Sequence, residues 1–292
     1  MSGADLTSAN FLDATMSGAT LAGAKLSGGH FESASLSGAD MSDADLSEAN
    51  FSKAILSGAN LSKATMSRSI LLDAKLFAAN MQSVNLRDSK LDGANLASAL
   101  LYGAELRDVS LSRANLAGAN LRNADLSNAD LEQVDLSSSN MDATNLSNAS
   151  VDGAFIQHSR MTRANLSGTS FKESNLRFSK IKGARLAKAN MQGANLQYTG
   201  MFQQEVLKHF PELKHNKKTL WDFQRSAKVV SSPVSIPMHQ QMMEEEPELM
   251  KSESPELDSK EPDKIVIDIT DQMEEQEMQP KKVSFFRKLF GR

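Results

Sequence analysis

The residue types that most often carry chemistry are few in this chain and form no reactive pattern. The chain has five histidines, and their spacing is not that of metal ligands: His30, His158, His209, His215 and His239. It has no cysteine, which excludes a disulfide framework, thiolate metal sites and a cysteine nucleophile. No glycine-rich phosphate-binding loop is present. The sequence therefore predicts no enzymatic activity, with no catalytic residue, no metal site and no cofactor.

Aspartate and asparagine, the remaining polar candidates, are placed at regular intervals by a five-residue repeat. Every fifth residue from Leu6 to Met201 is large and apolar, which makes forty consecutive positions. Two residues before each lies a small side chain, which is Ala at 27 of the forty, as at Ala4. The intervening residue is often Asp or Asn, as at Asp5. In this setting we expect the Asp and Asn side chains to complete hydrogen bonds of local turns rather than to catalyse a reaction.

The large residues also indicate how many five-residue units make one turn of the chain. The period of five fits neither a helix nor a simple strand, and one unit cannot bury its own apolar face, so the units must stack. The only Phe residues among the forty are separated by multiples of twenty: Phe11, Phe31, Phe51 and Phe171. This register predicts a four-sided coil and about ten coils, roughly 48 Å long at a strand spacing of about 4.8 Å.

This pattern resembles the pentapeptide-repeat family, whose consensus is Ala-(Asp/Asn)-Leu-X-X, over residues 3–200. The resemblance implies an all-β solenoid, a right-handed four-sided parallel β-helix with the large and small residues pointing inward. It also implies a binding or scaffolding role. The repeat is expected to occupy residues 1–201.

Residues 202–230 are predicted to form a short C-terminal helical cap. In FQQEVLKHF (202–210), Phe202, Val206 and Phe210 share one helical face. A second helix is predicted in TLWDFQRSAKV, with Thr219 as its N-cap. In relatives this end often forms a dimer contact, so two alternatives stand: a cap alone, or a cap that also forms a homodimer.

Residues 231–280 contain 14 acidic and 3 basic residues and are rich in Pro, Ser and Met, which predicts a disordered acidic tether. Within it, Val266, Ile267 and Ile269 form a β-branched run followed by acidic residues. Such a run can add a strand to the edge of another sheet. It resembles a SUMO-interacting motif, and the alternatives are an intramolecular strand or a non-specific apolar segment.

Residues 281–292 form a basic amphipathic segment with five cations. Its apolar side includes Phe285, Phe286, Leu289 and Phe290. Such a segment can lie on an anionic membrane as a peripheral contact. It also resembles a type IV secretion signal of intracellular pathogens, because acidic residues precede it; an inert tail is the third alternative.

Two surface features of the repeat are candidates for partner binding. Outward positions are mostly polar, but six carry large apolar residues, here called the apolar patch: Ile55, Ile70, Leu72, Phe77, Leu100 and Tyr102. Residues 151–200 carry 8 basic and 2 acidic residues, which makes a basic belt: Arg160, Arg163, Lys172, Arg177, Lys180, Lys182, Arg185 and Lys188. The alternative for the apolar patch is a set of scattered exposed apolar residues, and the alternative for the basic belt is an ordinary solvated surface.

The favoured function is a non-enzymatic protein-binding scaffold, acting as a secreted bacterial effector in a host cell or at a membrane, with an unidentified protein partner. The alternative is a DNA mimic that binds DNA gyrase. That role needs a strongly anionic rod, whereas residues 1–200 carry 18 basic and 19 acidic residues. No nucleic-acid partner is predicted. The sequence has no signal peptide or membrane-span pattern, so we expect a cytoplasmic location or delivery into a host cell.

Overall fold

The computed structural model describes residues 1–222, which lie within one structural unit, Met1–Val229. The unit is a β-helix solenoid built from isolated parallel bridges. Each intervening residue pairs with the residue twenty positions later, from Asp5 with Lys25 to Asn175 with Asn195. Four pentapeptides therefore separate paired residues, which confirms the register predicted from the phenylalanines. Since two residues of every five form a turn, the described residues contain single-residue bridges and no longer strands.

The backbone of each pentapeptide is bonded almost entirely to the coils on either side. In the unit Ala94–Ser98, the N–H of Asn95 donates to the preceding coil at 2.9 Å. The N–H groups of Leu96 and Ser98 donate to the following coil at 2.7 and 2.9 Å. The N–H of Ala94 closes a turn within the chain at 3.0 Å. Only the N–H of Ala97 lacks a backbone acceptor, and it donates to the Asn95 side chain at 3.1 Å.

The same arrangement recurs along the solenoid and confirms the predicted role of Asp and Asn. At the first turn position, the N–H of Ser42 donates to Asp40 at 3.1 Å, and that of Ala117 donates to Asn115 at 2.9 Å. The second turn position adopts a left-handed φ, such as 70° at Gly93. This explains the frequent glycine there, because glycine takes positive φ without a steric penalty.

The large and small positions fill the inside of the solenoid. Leu96 and Ala94 are both 0% exposed. Phe11, Phe31 and Phe51 form a stack in the core, with ring centres 4.8 and 4.5 Å apart. Where Ser or Thr replaces the small Ala, the buried hydroxyl donates to a backbone carbonyl, as Thr144 does to Leu121 at 2.8 Å. The large residues of the first coil are only partly buried, because a single neighbouring coil packs against them.

After Met201 the chain leaves the repeat, forms one helix and then returns to the bridge pattern. The helix α1 spans Gln203–His209, close to the predicted 202–210, and Pro211 follows it. Lys214 then pairs with Asn190, and Leu220 pairs with Asn195. Partly buried apolar side chains of this segment pack against the core: Val206, Leu207, Phe210 and Trp221. None of the described helices is long and apolar enough to cross a membrane.

The predicted second helix is wrong for residues 219–222. Thr219 is not an N-cap but a buried small position, 6% exposed, and its hydroxyl donates to the Met191 carbonyl at 2.7 Å. Leu220 forms a bridge and Trp221 packs on the core. Thr219–Trp221 thus repeats the small, intervening and large order of the repeat, and this packing overrides local helix propensity. The rest of the predicted helix lies outside the described residues.

We expect Leu96→Ala to lower the free energy of unfolding by about 2–5 kcal/mol, because it leaves a cavity in a fully buried layer. Asn95→Ala, its neighbour in the chain, removes one hydrogen bond at a partly exposed turn and should lower the free energy of unfolding by about 0.5–1.5 kcal/mol. Chemical denaturation followed by circular dichroism measures both. Equal losses for the two variants would contradict the inward and outward assignment.

Candidate protein-binding surface

The apolar patch lies outside the core, and its members differ in exposure. Phe77 is 51% exposed, Leu100 40% and Tyr102 43%, whereas Ile55, Ile70 and Leu72 are half-buried. The phenol oxygen of Tyr102 accepts a hydrogen bond from the Asn123 side chain at 3.2 Å. The exposed half of the patch is therefore Phe77, Leu100 and Tyr102.

The structure does not gather the apolar patch on one side of the solenoid. Ile55 pairs with Ser35 and Lys75, in the bridge column that begins at Thr15. Ile70 belongs to the column of Asn10, and Leu100 to the column of Thr20. No bridge joins two members of the patch. The three bridge residues of the patch thus lie in three of the four bridge columns, and Leu72, Phe77 and Tyr102 lie in the turns that follow those columns. A shared binding role stays a prediction.

The basic belt is mostly free of acidic partners. Arg160 pairs with Asp142 at 2.7 Å, and Lys172 with Asp152 at 3.6 Å. The other six cations have no carboxylate within 4.0 Å in the described part of the chain: Arg163, Arg177, Lys180, Lys182, Arg185 and Lys188. In residues 1–150 three cations, Lys25, Arg68 and Arg107, have such partners, and the difference of the last coils lies in their excess of 8 basic over 2 acidic residues. The last coils therefore present unpaired positive charge to solvent.

Asp142 holds Arg160 in a fixed orientation. One Asp142 oxygen accepts from Nε and Nη2 of Arg160 at 3.1 and 2.7 Å, and the other accepts from the Thr162 N–H at 2.9 Å. Desolvation raises the pKa of the Asp142 carboxyl, but the hydrogen bonds from Thr162 and Arg160 outweigh it, and the net pKa lies below its ordinary value of 3.8. Asp142 and Arg160 line a shallow groove of about 390 Å³ together with Arg122, Asn123 and Arg163.

An aromatic ladder at the second turn position was missed by the sequence reasoning. His158, Phe178 and Tyr198 stack with ring centres 4.9 and 4.6 Å apart. The Arg177 guanidinium lies 4.6 Å from the Phe178 ring centre and 4.9 Å from that of Tyr198. Phe178 is 39% exposed and Tyr198 52%. The signal was present in the sequence, because the three rings follow one another at intervals of twenty residues.

The histidines that the structure describes serve packing roles or lie on the surface. His158 belongs to the aromatic ladder, and His215 lies edge-on to Trp221 with ring centres 5.8 Å apart. Across residues 1–222, no group of three or more His, Cys, Asp or Glu side chains is arranged to hold a metal ion. The strand-addition residues Val266, Ile267 and Ile269 lie outside the described residues, and so does the segment of Phe285, Phe286, Leu289 and Phe290.

The stacked coils, the apolar core and the polar outer surface define a repeat solenoid. A family model described as pentapeptide repeats matches residues 1–21, 14–52, 114–153 and 159–197, and one described as a pentapeptide repeat region matches residues 44–121. The chain belongs to the pentapeptide-repeat family. A comparison with curated proteins found no match.

Several solved structures of pentapeptide-repeat proteins are similar to this chain. HetL, involved in heterocyst differentiation regulation in Nostoc sp. strain PCC 7120, is 29% identical over 66% of this chain and 90% of its own, with a TM-score of 0.33. Rfr23 of Cyanothece 51142 is 29% identical over 40% of this chain and 66% of its own, with a TM-score of 0.25. QnrB1, a plasmid-mediated fluoroquinolone resistance protein, is 15% identical over 71% of this chain and 91% of its own, with a TM-score of 0.30.

The lowered pKa of Asp142 gives a test of its role in the groove. A carboxyl whose pKa is lower in the folded state stabilises the protein above its unfolded pKa, and this stabilisation is lost as the pH falls through the folded pKa. We therefore expect Asp142→Asn to be less stable than the wild type above pH 3.8, with the difference vanishing as the pH falls below that value. Thermal melts over a pH series measure the difference.

The matched control is Asp43→Asn, which removes an exposed carboxylate with no cation within 4.0 Å among the described side chains. An identical pH dependence of the two variants would show that Asp142 has no special stabilising role.

Proposed function

We propose that this protein is a non-enzymatic scaffold that binds another protein through side chains on the outside of its solenoid, and that the apolar patch forms part of its binding surface. The exposure of Phe77, Leu100 and Tyr102 carries the proposal. Where Leu100 stands, the paired residues of the adjacent coils are Asn80 and Asn120. The fold thus accepts polar residues at this position. Burial of such a large apolar side chain against a partner contributes about 1.5–3 kcal/mol.

The solenoid is suited to this role because its backbone is held between coils by hydrogen bonds of 2.6–3.1 Å, as at Phe51 and Asp88. Surface side chains are therefore presented at fixed spacing. Binding to a preorganised surface avoids much of the entropy cost of ordering it.

The handedness, the number of coils and the cap of the solenoid are part of the same proposal. We propose a right-handed, four-sided β-helix of about ten coils whose last coil is capped by the segment 202–222. The packing of Val206, Phe210 and Leu213 on the core supports the cap. Leu220, 46% exposed beside the partly buried Trp221, supports a homodimer contact at this end.

The effector role is proposed from the sequence of the tail. A strand-addition motif (Val266, Ile267, Ile269) is of use where a SUMO-like protein is present, as in a eukaryotic host. The acidic residues and the basic amphipathic end fit export by a type IV system. The same end fits a peripheral membrane location after delivery.

An affinity-capture experiment tests the scaffold function. The purified full-length chain is used to capture proteins from host and bacterial lysates, beside the variant Phe77→Glu with Tyr102→Glu. We expect at least one protein to be retained by the wild type and lost by the double variant, because the charges oppose burial of the patch. The matched control is Leu12→Glu, which alters another exposed apolar residue, 55% exposed, away from the patch.

Retention of the same proteins by all three chains would show that the apolar patch is not the binding surface.

A supercoiling assay with purified DNA gyrase tests the alternative function. Inhibition or protection of gyrase by the wild type would favour the DNA mimic over the scaffold, and that alternative stays a prediction.

Membrane contact is tested by co-sedimentation with anionic vesicles at low salt. We expect the full-length protein to pellet and the variant Phe286→Glu with Phe290→Glu to stay in solution, because the charges disrupt the apolar side of the segment. The wild type should also be released by salt, since about 1 kcal/mol per basic residue comes from attraction to anionic lipid. If the wild type and the variant pellet to the same extent, the membrane contact is wrong, and the secretion signal and the inert tail are the alternatives that stand.

A further inference from the structure

The aromatic ladder and its surroundings form a second surface, distinct from the apolar patch. His158, Phe178 and Tyr198 occupy the second turn position with φ of 59°, 65° and 61°. In the preceding coils the same position holds Ser98, Gly118 and Ser138. The fold therefore does not need rings at this corner. Exposed rings that the core does not require indicate a binding role.

Cations follow the rings of the aromatic ladder closely in the sequence. Arg160, which is bonded to Asp142, follows His158 by two residues, and Lys180, which has no carboxylate partner among the described residues, follows Phe178 by two. The backbones of Arg160 and Lys180 form a bridge between adjacent coils. Arg163 and Lys182 occupy the next corner and are exposed, and no carboxylate lies within 4.0 Å of either in the described part of the chain. One side of the last coils is thus bordered by rings on one corner and by cations on the other.

The groove at this side is lined by side chains that can bind anionic groups. Three guanidinium groups, those of Arg122, Arg160 and Arg163, line its volume of about 390 Å³. Its one carboxylate, Asp142, is bonded to Arg160 and to the Thr162 N–H. Arg122 and Arg163 are left to bind carboxylates from outside, for which guanidinium groups are well suited.

The geometry of the aromatic ladder favours an acidic polypeptide over a nucleic acid. Nucleic-acid bases bind by stacking on open ring faces. Here Phe178 is covered by His158 and Tyr198 at 4.9 and 4.6 Å, with Arg177 over Phe178 and Tyr198 as well. Phe178, the middle ring, therefore has a ring on each face and presents its edge. Because the edge is the positive part of the ring quadrupole, it favours carboxylates and edge-to-face contact with another aromatic ring.

We propose that the aromatic ladder, with Arg163, Lys180 and Lys182, forms a docking surface for an acidic segment of a partner protein that carries an aromatic residue. This inference rests on the proposed scaffold function and adds the site and the chemistry of the partner. Carboxylates of the segment pair with the cations, and its aromatic side chain packs against the ring edges. The docking surface lies several coils from Phe77 and Tyr102 of the apolar patch, so the two surfaces can be mutated separately.

The test uses the full-length protein and a fluorescein-labelled peptide of Glu and Asp residues with one central Trp, followed by fluorescence anisotropy. We expect binding that weakens with salt and is at least about tenfold weaker for Arg163→Glu with Lys182→Glu. Lys63→Glu is the matched control. Lys63 is exposed and lies at the same corner as Arg163, with a φ of 58°. The Lys63→Glu variant should therefore bind the peptide as the wild type does.

The aromatic contribution is tested with Phe178→Ala combined with Tyr198→Ala. Alanine fits this backbone, because Ala78 occupies the same corner with a φ of 54°. We expect the double variant to lose the preference for the Trp peptide over the same peptide with Gly in place of Trp. Circular dichroism of each variant verifies that the fold is retained.

The inference is overturned if the peptide does not bind at low salt, if a peptide with Lys in place of the acidic residues binds equally well, or if Lys63→Glu weakens peptide binding as much as the double variant does. Stronger binding of oligothymidylate than of the peptide would indicate a nucleic-acid surface instead. Pelleting with anionic vesicles that depends on Arg163 would indicate a membrane surface instead. If the wild type captures no protein from the lysates while the peptide still binds, the result contradicts the function proposed above and not this surface. If the wild type captures a protein but does not bind the peptide, the result contradicts this surface alone.

Discussion

The structure depends on one interaction, the backbone hydrogen bonds that join each coil to its neighbours at a register of twenty residues. Because single residues bridge between turns, a pentapeptide on its own has too few contacts to be stable, and stability accrues through stacking. The register aligns identical repeat positions above one another. It therefore decides which side chains are buried, as the stacked rings of Phe31 and Phe51 show.

This separation of inside and outside explains why the fold is easy to derive from the sequence and the function is not. The core constrains only the large and small positions, and the Asx-type turn constrains the intervening position weakly. The remaining surface is free to vary. Information on function is therefore carried by departures from the repeat, such as Tyr102 or Phe178, and not by the repeat itself.

The sequence predicted the register because its phenylalanines recur at multiples of twenty, and Phe11, Phe31 and Phe51 do stack on one another in the core. It also predicted the place of α1, since Val206 and Phe210 follow a helical period. The second helix was wrong because Thr219–Trp221 is compatible with both a helix start and a returning pentapeptide, and only packing on the last coil distinguishes them. The aromatic ladder was not predicted because its three rings, His158, Phe178 and Tyr198, are of three different residue types, so no single residue type recurs at intervals of twenty at this position.

The return of the chain to the bridge pattern after α1 has a consequence for how such a solenoid can change. Asn190 pairs with a residue 24 positions later and Asn195 with one 25 positions later, instead of 20. Among the described residues, Lys180 and Arg185 have no bridge to a following coil, whereas Asn190 and Asn195 do, so the inserted residues interrupt the pairing on two sides and leave it intact on the other two. The last coil of the solenoid can therefore exchange part of its pairing for a helix packed on the core, so that its end can acquire a different shape while the interior of the preceding coils stays the same.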